Sequence, residues 1–289
     1  MDISKFGKGG KTPPWYKKDP RDYRLEVAAG AAQLTEEYSL RDKITKIKDQ
    51  NGSLSCVGQG FSLYAEILNF IETGQKIQLS ARDIYSSIFL PAGGAYAADA
   101  AKKVCNSGIV PEEMAASYEN GKPPTEAFMR QRSDIDEADK ETGMTYLAKK
   151  FVTWKNNSFE WYRQAIHQGH GCTMIVKGND SCWGGADIKV PDLKDCTWSH
   201  EIVGIGWRKR NGKDVLEIAN SWGTAWGDKG FGWLPKEYIE AGLVVSPITL
   251  IDLPNDTYNQ LKSQIFKIQE QIRILAEKIK QFIQGRAKK

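Results

Sequence analysis

The pattern of apolar residues changes once along the chain, and this change constrains the fold more than any other feature. Over about residues 50–120, apolar residues recur at steps of three and four, which is typical of amphipathic helices. Over about residues 165–250, short stretches rich in β-branched and aromatic residues alternate with Gly and Asn turns, which is typical of antiparallel strands. A helical part followed by a strand part predicts an α+β protein with a cleft between the two parts.

The ends of several helices are marked by residues that favour helix termini. Gly74 is placed to close the first helix, and Ser80 is placed to cap the second. The predicted helices span residues 56–71, 81–89, 96–104 and 159–168. The predicted strands span residues 172–177, 201–207, 215–219 and 230–234.

A heptad pattern begins beyond the strand part. Seven apolar residues step by four and three, with charged and amide residues between them: Leu261, Ile265, Ile268, Ile272, Leu275, Ile279 and Phe282. Residues 257–289 are therefore predicted to form an amphipathic helix with a basic tail. The pattern fits a single helix docked on the domain, self-association as a coiled coil through residues 261–282, or a basic helix on a membrane surface.

The composition argues against several classes of protein. Aromatic residues make up 10% of the 289 residues and the formal net charge is only +4, so a mainly disordered chain is not expected. The same mild charge argues against a nucleic-acid partner. No stretch reaches the roughly 18 consecutive apolar residues of a membrane span, and the N-terminus lacks the apolar core of a secretory signal. We therefore expect a cytoplasmic protein in a reducing environment.

Histidine and cysteine are scarce, which limits the available chemistry. The three histidines are His167, His170 and His200. The five cysteines are too sparse for a disulfide scaffold. Cys172, Cys182 and Cys196 are spaced by ten and fourteen residues, which matches neither a zinc finger nor a zinc ribbon. We expect no metal and no cofactor, and a disulfide between Cys182 and Cys196 stays an alternative.

Cys56 stands at the start of the first predicted helix, where the helix macrodipole favours a thiolate. Gln50 lies six residues upstream, before a Gly-Ser turn, and its amide could fold back beside the backbone N–H of Cys56. Two such donors would stabilise an oxyanion. Taken alone, a cysteine at this position could equally be a small buried apolar residue.

His200 starts a predicted central strand, and Asn220 follows another. Beside a thiol, His200 could accept its proton, and the amide oxygen of Asn220 could accept a hydrogen bond from the second imidazole nitrogen. Trp222 could shield that bond from water. Without such partners, the histidine would be structural and residues 220–227 would be a strand followed by a glycine-rich turn.

These positions together resemble one family. Glutamine is followed six residues later by cysteine, then by histidine, then by asparagine within residues 220–227, which read N-S-W-G-T-A-W-G. Residues 93–96, Gly-Gly-Ala-Tyr, are similar to the glycine pair with which that family binds a substrate backbone. The chain resembles the papain-like cysteine proteases of the cathepsin type, peptidase family C1, over about residues 34–250.

The resemblance implies a papain-like fold over residues 34–256, with a helical left domain and a β-barrel-like right domain, after an N-terminal arm over residues 1–33. It implies Cys56 as the nucleophile and His200 as the general base and acid. Asn220 would orient His200, and Gln50 would complete the oxyanion hole. The substrate-binding residues implied by the resemblance are Gly93, Gly94, Ser199, Glu201 and Trp222, with Trp222 on the leaving-group side.

The sequence departs from the family pattern at several positions. Ser53 stands where a disulfide cysteine normally lies, so we expect the left-domain disulfide to be absent. Gln59 occupies a usually apolar helix position. Glu201 replaces a small residue near the pocket for the second substrate side chain. Its carboxylate would either favour a basic substrate residue there, or be solvated or paired internally.

The N-terminal arm over residues 1–33 is too short for the family's inhibitory propeptide. It is expected to fold over the surface as a structural arm, or alternatively to act as a short autoinhibitory segment. These departures look more like bacterial or phage relatives than like secreted cathepsins. A phage-encoded protein of this kind would be found in the host cytoplasm or the virion.

Three functions are compatible with these residues. The first is a cysteine endopeptidase that hydrolyses peptide bonds in a polypeptide substrate through a thioester acyl-enzyme. The second is a non-catalytic papain-fold binding or structural module assembled through its C-terminal helix. The third is an isopeptidase or transpeptidase, which uses the same acyl chemistry with another acceptor.

Overall fold

The computed structural model describes residues 2–11, 22–24, 33–132, 135, 146–154 and 158–251. The predicted helix over residues 257–289, and with it the coiled-coil alternative, lies outside the described residues. No helix within the described part of the chain is long and apolar enough to cross a membrane.

The described residues form helices in the first part of the chain and mainly strands in the second. The helices are α1 (Cys56–Thr73), α2 (Ala81–Ile88), α3 (Ala97–Ser107), α4 (Glu126–Met129), α5 (Phe159–Gln168) and α6 (Lys236–Glu240). The strands are β1 (Gly10–Lys11), β2 (Asp22–Arg24), β3 (Tyr38–Ser39), β4 (Ala95–Tyr96), β5 (Lys150–Thr153), β6 (Cys172–Gly178), β7 (Trp198–Arg210), β8 (Lys213–Ala219), β9 (Phe231–Pro235) and β10 (Val244–Ile251).

The four predicted helices are confirmed to within a few residues. Gly74 ends α1 with φ of 67°, a left-handed conformation that glycine adopts without strain. The Ser80 hydroxyl accepts a hydrogen bond from the backbone N–H of Asp83 and so caps α2. Helix α3 extends three residues beyond its predicted end, as far as Gly108, which has φ of 67°.

The larger sheet has the strand order β2-β5-β10-β6-β7-β8-β9, with β3 paired to β7. Strands β6 to β9 pair antiparallel, as predicted. Strand β5, which was not predicted, pairs antiparallel with β10 and parallel with β2. Strand β7 extends well beyond its predicted limits because a tight Asn211-Gly212 turn joins it to β8. Both turn residues have positive φ, which suits an Asn-Gly hairpin turn.

Strand β10 was not predicted, because Pro247 interrupts its apolar run. The structure accommodates the proline by a shift in register between Val245 and Ile248, where Ser246 has φ of 50°. Strand β10 still pairs with both β5 and β6 and so lies inside the sheet.

Helix α1 packs against one face of β7, and this contact places the start of α1 beside the sheet. Apolar residues of α1, α2 and α3 form one core with Ile175, Val203 and Ile205 of the sheet. A second core lies on the other side, around α5 and five buried tryptophans. Ile3 and Phe6 of the N-terminal arm are buried in this second core.

We predict that Gly58→Ala lowers the free energy of unfolding, because a Cβ at Gly58 would lie 2.6 Å from the carbonyl oxygen of Ala81 in α2. The cost of overpacking, about 1–3 kcal/mol, exceeds the roughly 0.5–1 kcal/mol gained by replacing a helical glycine with alanine. Denaturant unfolding measures the difference. The control is Gly185→Ala, where a Cβ meets no atom within 4 Å. Equal stability of the two variants would contradict the prediction.

Candidate active site

Cys56 is the first residue of α1, and its side chain is fully buried. The loop before it is held by hydrogen bonds among buried polar groups. The Ser53 hydroxyl donates to the carbonyl oxygen of Gln50 at 2.8 Å and lies 2.7 Å from the Ser55 hydroxyl. The Gln59 side-chain amide reaches the Ser55 hydroxyl at 3.4 Å. Ser53 and Gln59, both departures from the family pattern, therefore belong to one polar network.

All five cysteines lie in the described part of the chain and carry free thiols. His167 and His170 lie at and just beyond the end of α5. Among the described residues, no group of three or more His, Cys, Asp or Glu side chains could hold a metal ion.

Strands β7 and β8 bring His200 and Asn220 together. Nε2 of His200 lies 2.7 Å from Oδ1 of Asn220, and both side chains are buried. The same oxygen accepts the backbone N–H of Ser221 at 2.8 Å, which fixes the orientation of the amide. An amide oxygen can only accept, so Nε2 of His200 must carry the proton. The lone pair of the neutral ring is then on Nδ1, which is buried without a hydrogen-bond partner among the described residues.

Trp222 covers this pair. Its ring stacks on the ring of His200, with centroids 4.6 Å apart and an interplanar angle of 27°. Trp222 is 1% exposed, so the hydrogen bond between His200 and Asn220 is screened from water on that side. Phe6 of the N-terminal arm stacks on Trp222, with centroids 5.4 Å apart and nearly parallel rings.

Gln50 is buried beside the start of α1. Its Oε1 accepts a hydrogen bond from the hydroxyl of Ser221 at 2.5 Å, so its Nε2 points away from Ser221. Nε2 donates to the carbonyl oxygens of Ser53, at 2.8 Å, and of Gly7, at 2.9 Å. The side-chain N–H that the resemblance assigns to the oxyanion hole therefore binds a carbonyl oxygen of the N-terminal arm.

Residues 7–10 of that arm lie against the thiol. The backbone N–H of Gly9 donates to the sulfur of Cys56 at 3.2 Å. A Cβ built on Gly10 would lie 3.1 Å from the carbonyl carbon of His200 and 3.1 Å from the backbone nitrogen of Glu201. Residues 7–10 of the arm therefore lie in the cleft between the helical part and the sheet, and not on the outer surface.

The glycine pair at 93–94 forms a turn in which both residues have positive φ. The resemblance assigns to Gly94 the backbone hydrogen bonds to a substrate, but the N–H and the carbonyl oxygen of Gly94 both have hydrogen-bond partners within the protein. Its N–H donates to the hydroxyl of Tyr85 and its carbonyl oxygen accepts the N–H of Leu90. The donor that faces the cleft is the N–H of Ala95, which binds the carbonyl oxygen of Gly9 at 2.9 Å. Nothing in the sequence pattern distinguished Ala95 from its neighbours.

Burial keeps the thiol and the imidazole uncharged. Loss of solvent raises the pKa of Cys56 to about 12, although hydrogen bonds from the backbone N–H groups of Glu201 and Gly9 act in the opposite direction. Loss of solvent also lowers the pKa of His200 to about 3. The hydrogen bond to Asn220 opposes this shift, and the positive charge of Lys8 adds to it. In the described state, burial therefore favours the uncharged thiol and the neutral imidazole.

Glu201 is neither solvated nor paired. Its side chain is 1% exposed and lies against Gly60 of α1, and neither carboxylate oxygen has a hydrogen-bond partner within the described chain. Burial raises its pKa to about 8, and the nearby hydroxyl of Thr173, which is not within hydrogen-bonding geometry of the carboxylate, opposes this shift only weakly. The adjacent Ser199 is half-buried in β7. Substrate binding by these two residues stays a prediction.

Comparison with known proteins identifies the family. The sequence profile of papain family cysteine proteases matches residues 34–248. The chain belongs to the papain family of cysteine proteases. Its papain-family relatives include a cysteine protease of Blomia tropicalis, which is 23% identical over 248 residues, 81% of this chain and 71% of the relative. Digestive cysteine proteinase 1 of Homarus americanus is 23% identical over 222 residues, 75% of this chain and 66% of the relative.

The papain-like fold is also found by structural comparison. The crystal structure of xylellain, a cysteine protease from Xylella fastidiosa, matches with a TM-score of 0.67 at 20% sequence identity. The match covers 86% of this chain and 97% of xylellain. The predicted α+β class, with a helical N-terminal part and a sheet-rich second part, is therefore confirmed.

We predict that Glu201→Gln stabilises the protein increasingly as the pH rises. The folded pKa of about 8 lies above the ordinary value of 4.5, so the wild type loses stability as the pH rises from about 4.5 through 8. The variant should be more stable than the wild type by roughly 2–4 kcal/mol at pH 8, with a small difference at pH 4. Thermal unfolding across this range measures the effect.

The control is Glu217→Gln, another buried carboxylate, whose Oε2 accepts the hydroxyl of Ser39 at 2.5 Å. Because Glu217 has partners, its replacement should lower stability. A difference between Glu201→Gln and the wild type that does not change with pH would contradict the prediction.

Proposed function

We propose that this papain-family protein is a cysteine endopeptidase that cleaves peptide bonds through a thioester acyl-enzyme. The observation that carries the proposal is the hydrogen-bonded chain from Ser221 through Asn220 to His200, which leaves Nδ1 of His200 as a buried, unpartnered base. The Nδ1 atoms of His167 and His170 are also buried without a partner, so what distinguishes His200 is the hydrogen bond that fixes its Nε2 on the buried amide oxygen of Asn220.

In the first step, Nδ1 of His200 accepts the proton of Cys56, and the thiolate attacks the carbonyl carbon of the substrate. The negative charge that develops on the carbonyl oxygen is bound by the side-chain N–H of Gln50 and the backbone N–H of Cys56. The imidazolium then gives its proton to the leaving amine, and the C–N bond breaks. The products of this step are the free amine and a thioester on Cys56.

In the second step, water attacks the thioester while Nδ1 of His200 accepts its proton. The tetrahedral intermediate collapses, the C–S bond breaks, and the carboxylic acid leaves as the thiol is restored. Throughout, Asn220 holds the Nε2–H of His200 and stabilises the charged ring. Stacking by Trp222 keeps water from competing for that hydrogen bond.

The non-catalytic alternative is less well supported. A binding module has no physical need for an oriented imidazole, an amide donor beside a helix N-terminus and a thiol in the same cleft. Hydrolysis and transpeptidation share the acyl-enzyme and differ only in the acceptor. No described contact favours an acceptor other than water.

We predict that an epoxysuccinyl peptide probe labels the reduced protein at Cys56. Cys56→Ala should remove the labelling completely, because only a thiolate beside the imidazole reacts at a useful rate. Cys196→Ser, which removes a half-buried thiol elsewhere, serves as the matched control and should still be labelled. Mass spectrometry of the intact protein measures the adduct. Labelling that persists in Cys56→Ala would overturn the proposed nucleophile.

We predict that Gln50→Ala lowers kcat for peptide hydrolysis by about 10²–10³, the loss that follows removal of one oxyanion donor. KM should change little, because this donor binds the charged intermediate more strongly than the substrate carbonyl. Gln75→Ala, in the loop after α1, is the control. Steady-state kinetics on one peptide substrate separates the two constants. A kcat equal to that of the control would remove Gln50 from the mechanism.

A further inference from the structure

We propose that Asp180, Trp198 and Trp222 form a binding site for a basic side chain on the leaving-group side of the cleft. The enzyme would then prefer substrates that carry lysine or arginine next to the scissile bond on that side. The inference rests on the proposed function, because it names the substrate class of the same active site. Its basis is Lys8, a residue of the chain itself, whose ammonium group lies between these three side chains.

The ammonium group of Lys8 is surrounded by one carboxylate and two aromatic rings. Its Nζ lies 3.2 Å from Oδ1 of Asp180. It also lies over the rings of Trp222 and Trp198, at 5.6 and 5.7 Å from their centroids, and donates to the carbonyl oxygen of Ile3 at 2.7 Å. The side chain of Lys8 is only 10% exposed, so the cation is largely removed from water. Both kinds of attraction are stronger there than on an open surface.

The site is built by residues outside the N-terminal arm. The indole N–H of Trp198 donates to Oδ1 of Asp180 at 2.7 Å, which orients the carboxylate. The Trp198 ring packs edge-on against Trp183, with centroids 5.7 Å apart. A Cβ on Gly178 would lie 2.6 Å from the Trp198 ring, so glycine at this position of β6 lets the ring lie close to the strand. None of these contacts involves residues 2–11, and we expect the site to keep its shape when those residues leave the cleft.

The position of Lys8 in the cleft locates the site relative to the scissile bond. Lys8 follows Gly7, whose carbonyl oxygen accepts the amide N–H of Gln50 at 2.9 Å. It precedes Gly9, whose backbone N–H donates to the sulfur of Cys56 at 3.2 Å. The Lys8 side chain extends from this point towards the leaving-group side. The site therefore lies within the length of one lysine side chain of the proposed reacting groups.

The main chain on both sides of Lys8 lies against the loop before Cys56. A Cβ on Gly7 would lie 1.8 Å from the carbonyl oxygen of residue 53, and a Cβ on Gly9 would lie 1.9 Å from that of residue 54. A bound peptide would place its main chain in the same cleft. The arm pairs in parallel with β4, whereas a substrate with its acyl part at β4 would run the other way. The side chain that reaches Asp180 could therefore belong to the first or the second residue of the leaving group, and both positions enter the test.

A cation in this site should act on substrate binding more than on the chemical step. The contacts to Asp180 and to the two rings do not involve the reacting atoms, so they stabilise the substrate complex and the transition state alike and lower KM. The positive charge of Lys8 also contributes to the lowered pKa of His200. A substrate ammonium group in the same place would not favour the imidazolium, so we expect no rise in kcat.

The test uses two pairs of peptide substrates and the full chain. The peptides of a pair differ at one position, the first or the second residue of the leaving group, which is lysine in one peptide and norleucine in the other. For at least one pair we expect a KM about tenfold lower for the lysine peptide, with kcat equal to within about twofold. This is the effect expected from cation–π contacts together with a partly exposed ion pair. Both peptides displace the same arm residues, so the ratio of their KM values cancels that common cost.

The variants separate the proposed site from a general preference for basic peptides. Asp180→Asn keeps the size of the side chain but removes its charge, so the KM ratio should fall to about threefold or less. Asp180→Lys should reverse the preference, so that a glutamate peptide binds better than the lysine peptide. The matched control is Asp192→Asn, because the side chain of Asp192 is 74% exposed, and this variant should keep the wild-type ratio.

The outcomes distinguish failure of the site from failure of the proposed function. A wild-type KM ratio near one for both pairs, or a ratio that Asp180→Asn leaves unchanged, overturns the site and leaves the proposed function intact. Hydrolysis of none of the four peptides overturns the proposed function and, with it, this inference.

Discussion

The close packing of helix α1 between the sheet and helix α2 determines where every group of the active site lies. A Cβ on Gly60 would be 3.1 Å from Cγ of Glu201 in β7, and a Cβ on Gly58 would be 2.6 Å from the backbone of α2. With glycine at both positions, the start of α1 can approach the backbone of β7 from one side. Cys56 is thereby held beside the backbone N–H of Glu201, the residue that follows His200 in β7.

Hydrogen bonds take the place that a disulfide would hold in the helical part. Ser53, Ser55 and Gln59 tie the loop before Cys56 to the first turn of α1, and Gln50 is anchored from the other side by Ser221. Each of these bonds contributes little by itself, roughly 1 kcal/mol. Their geometry does not depend on the redox state of the surroundings, so Gln50, the proposed oxyanion donor, keeps its position in conditions that keep the Cys56 thiol reduced.

Local patterns were sufficient to predict the four longest of the described helices and strands β6 to β9. Gly74, Ser80 and the three- and four-residue steps defined the helices, because caps and amphipathic faces are local properties. Strand β10 was not predicted because Pro247 interrupts its apolar run. The register shift that accommodates this proline depends on pairing with β6 and cannot be read from the sequence. The proposed Cys–His–Asn residues could be named from their motif and order. Their hydrogen bonds and burial, in contrast, depend on how β7, β8 and α1 meet.

The least predictable features are those that depend on distant segments. The sequence suggested that the carboxylate of Glu201 would be solvated or paired unless it reached a substrate pocket, but it is buried against Gly60 without a hydrogen-bond partner in the described chain, and its substrate role stays a prediction. The arm was expected on the surface or over the active site, and local composition could not choose between them. A glycine-rich stretch with one lysine indicates flexibility when read alone, and its fit to the cleft depends on the backbone of residues 53–54.

The short connection between β1 and β2 has a kinetic and thermodynamic consequence. Strand β2 is part of the large sheet, and only residues 12–21 separate it from Lys11, a reach of at most about 35 Å. Because residues 2–11 are tethered so closely to the sheet, their effective concentration at the cleft is on the order of millimolar, whatever the concentration of the protein. Dilution therefore cannot free the cleft. A polypeptide that enters the cleft has to displace residues 7–9 from their hydrogen bonds to Gln50, Cys56 and Ala95.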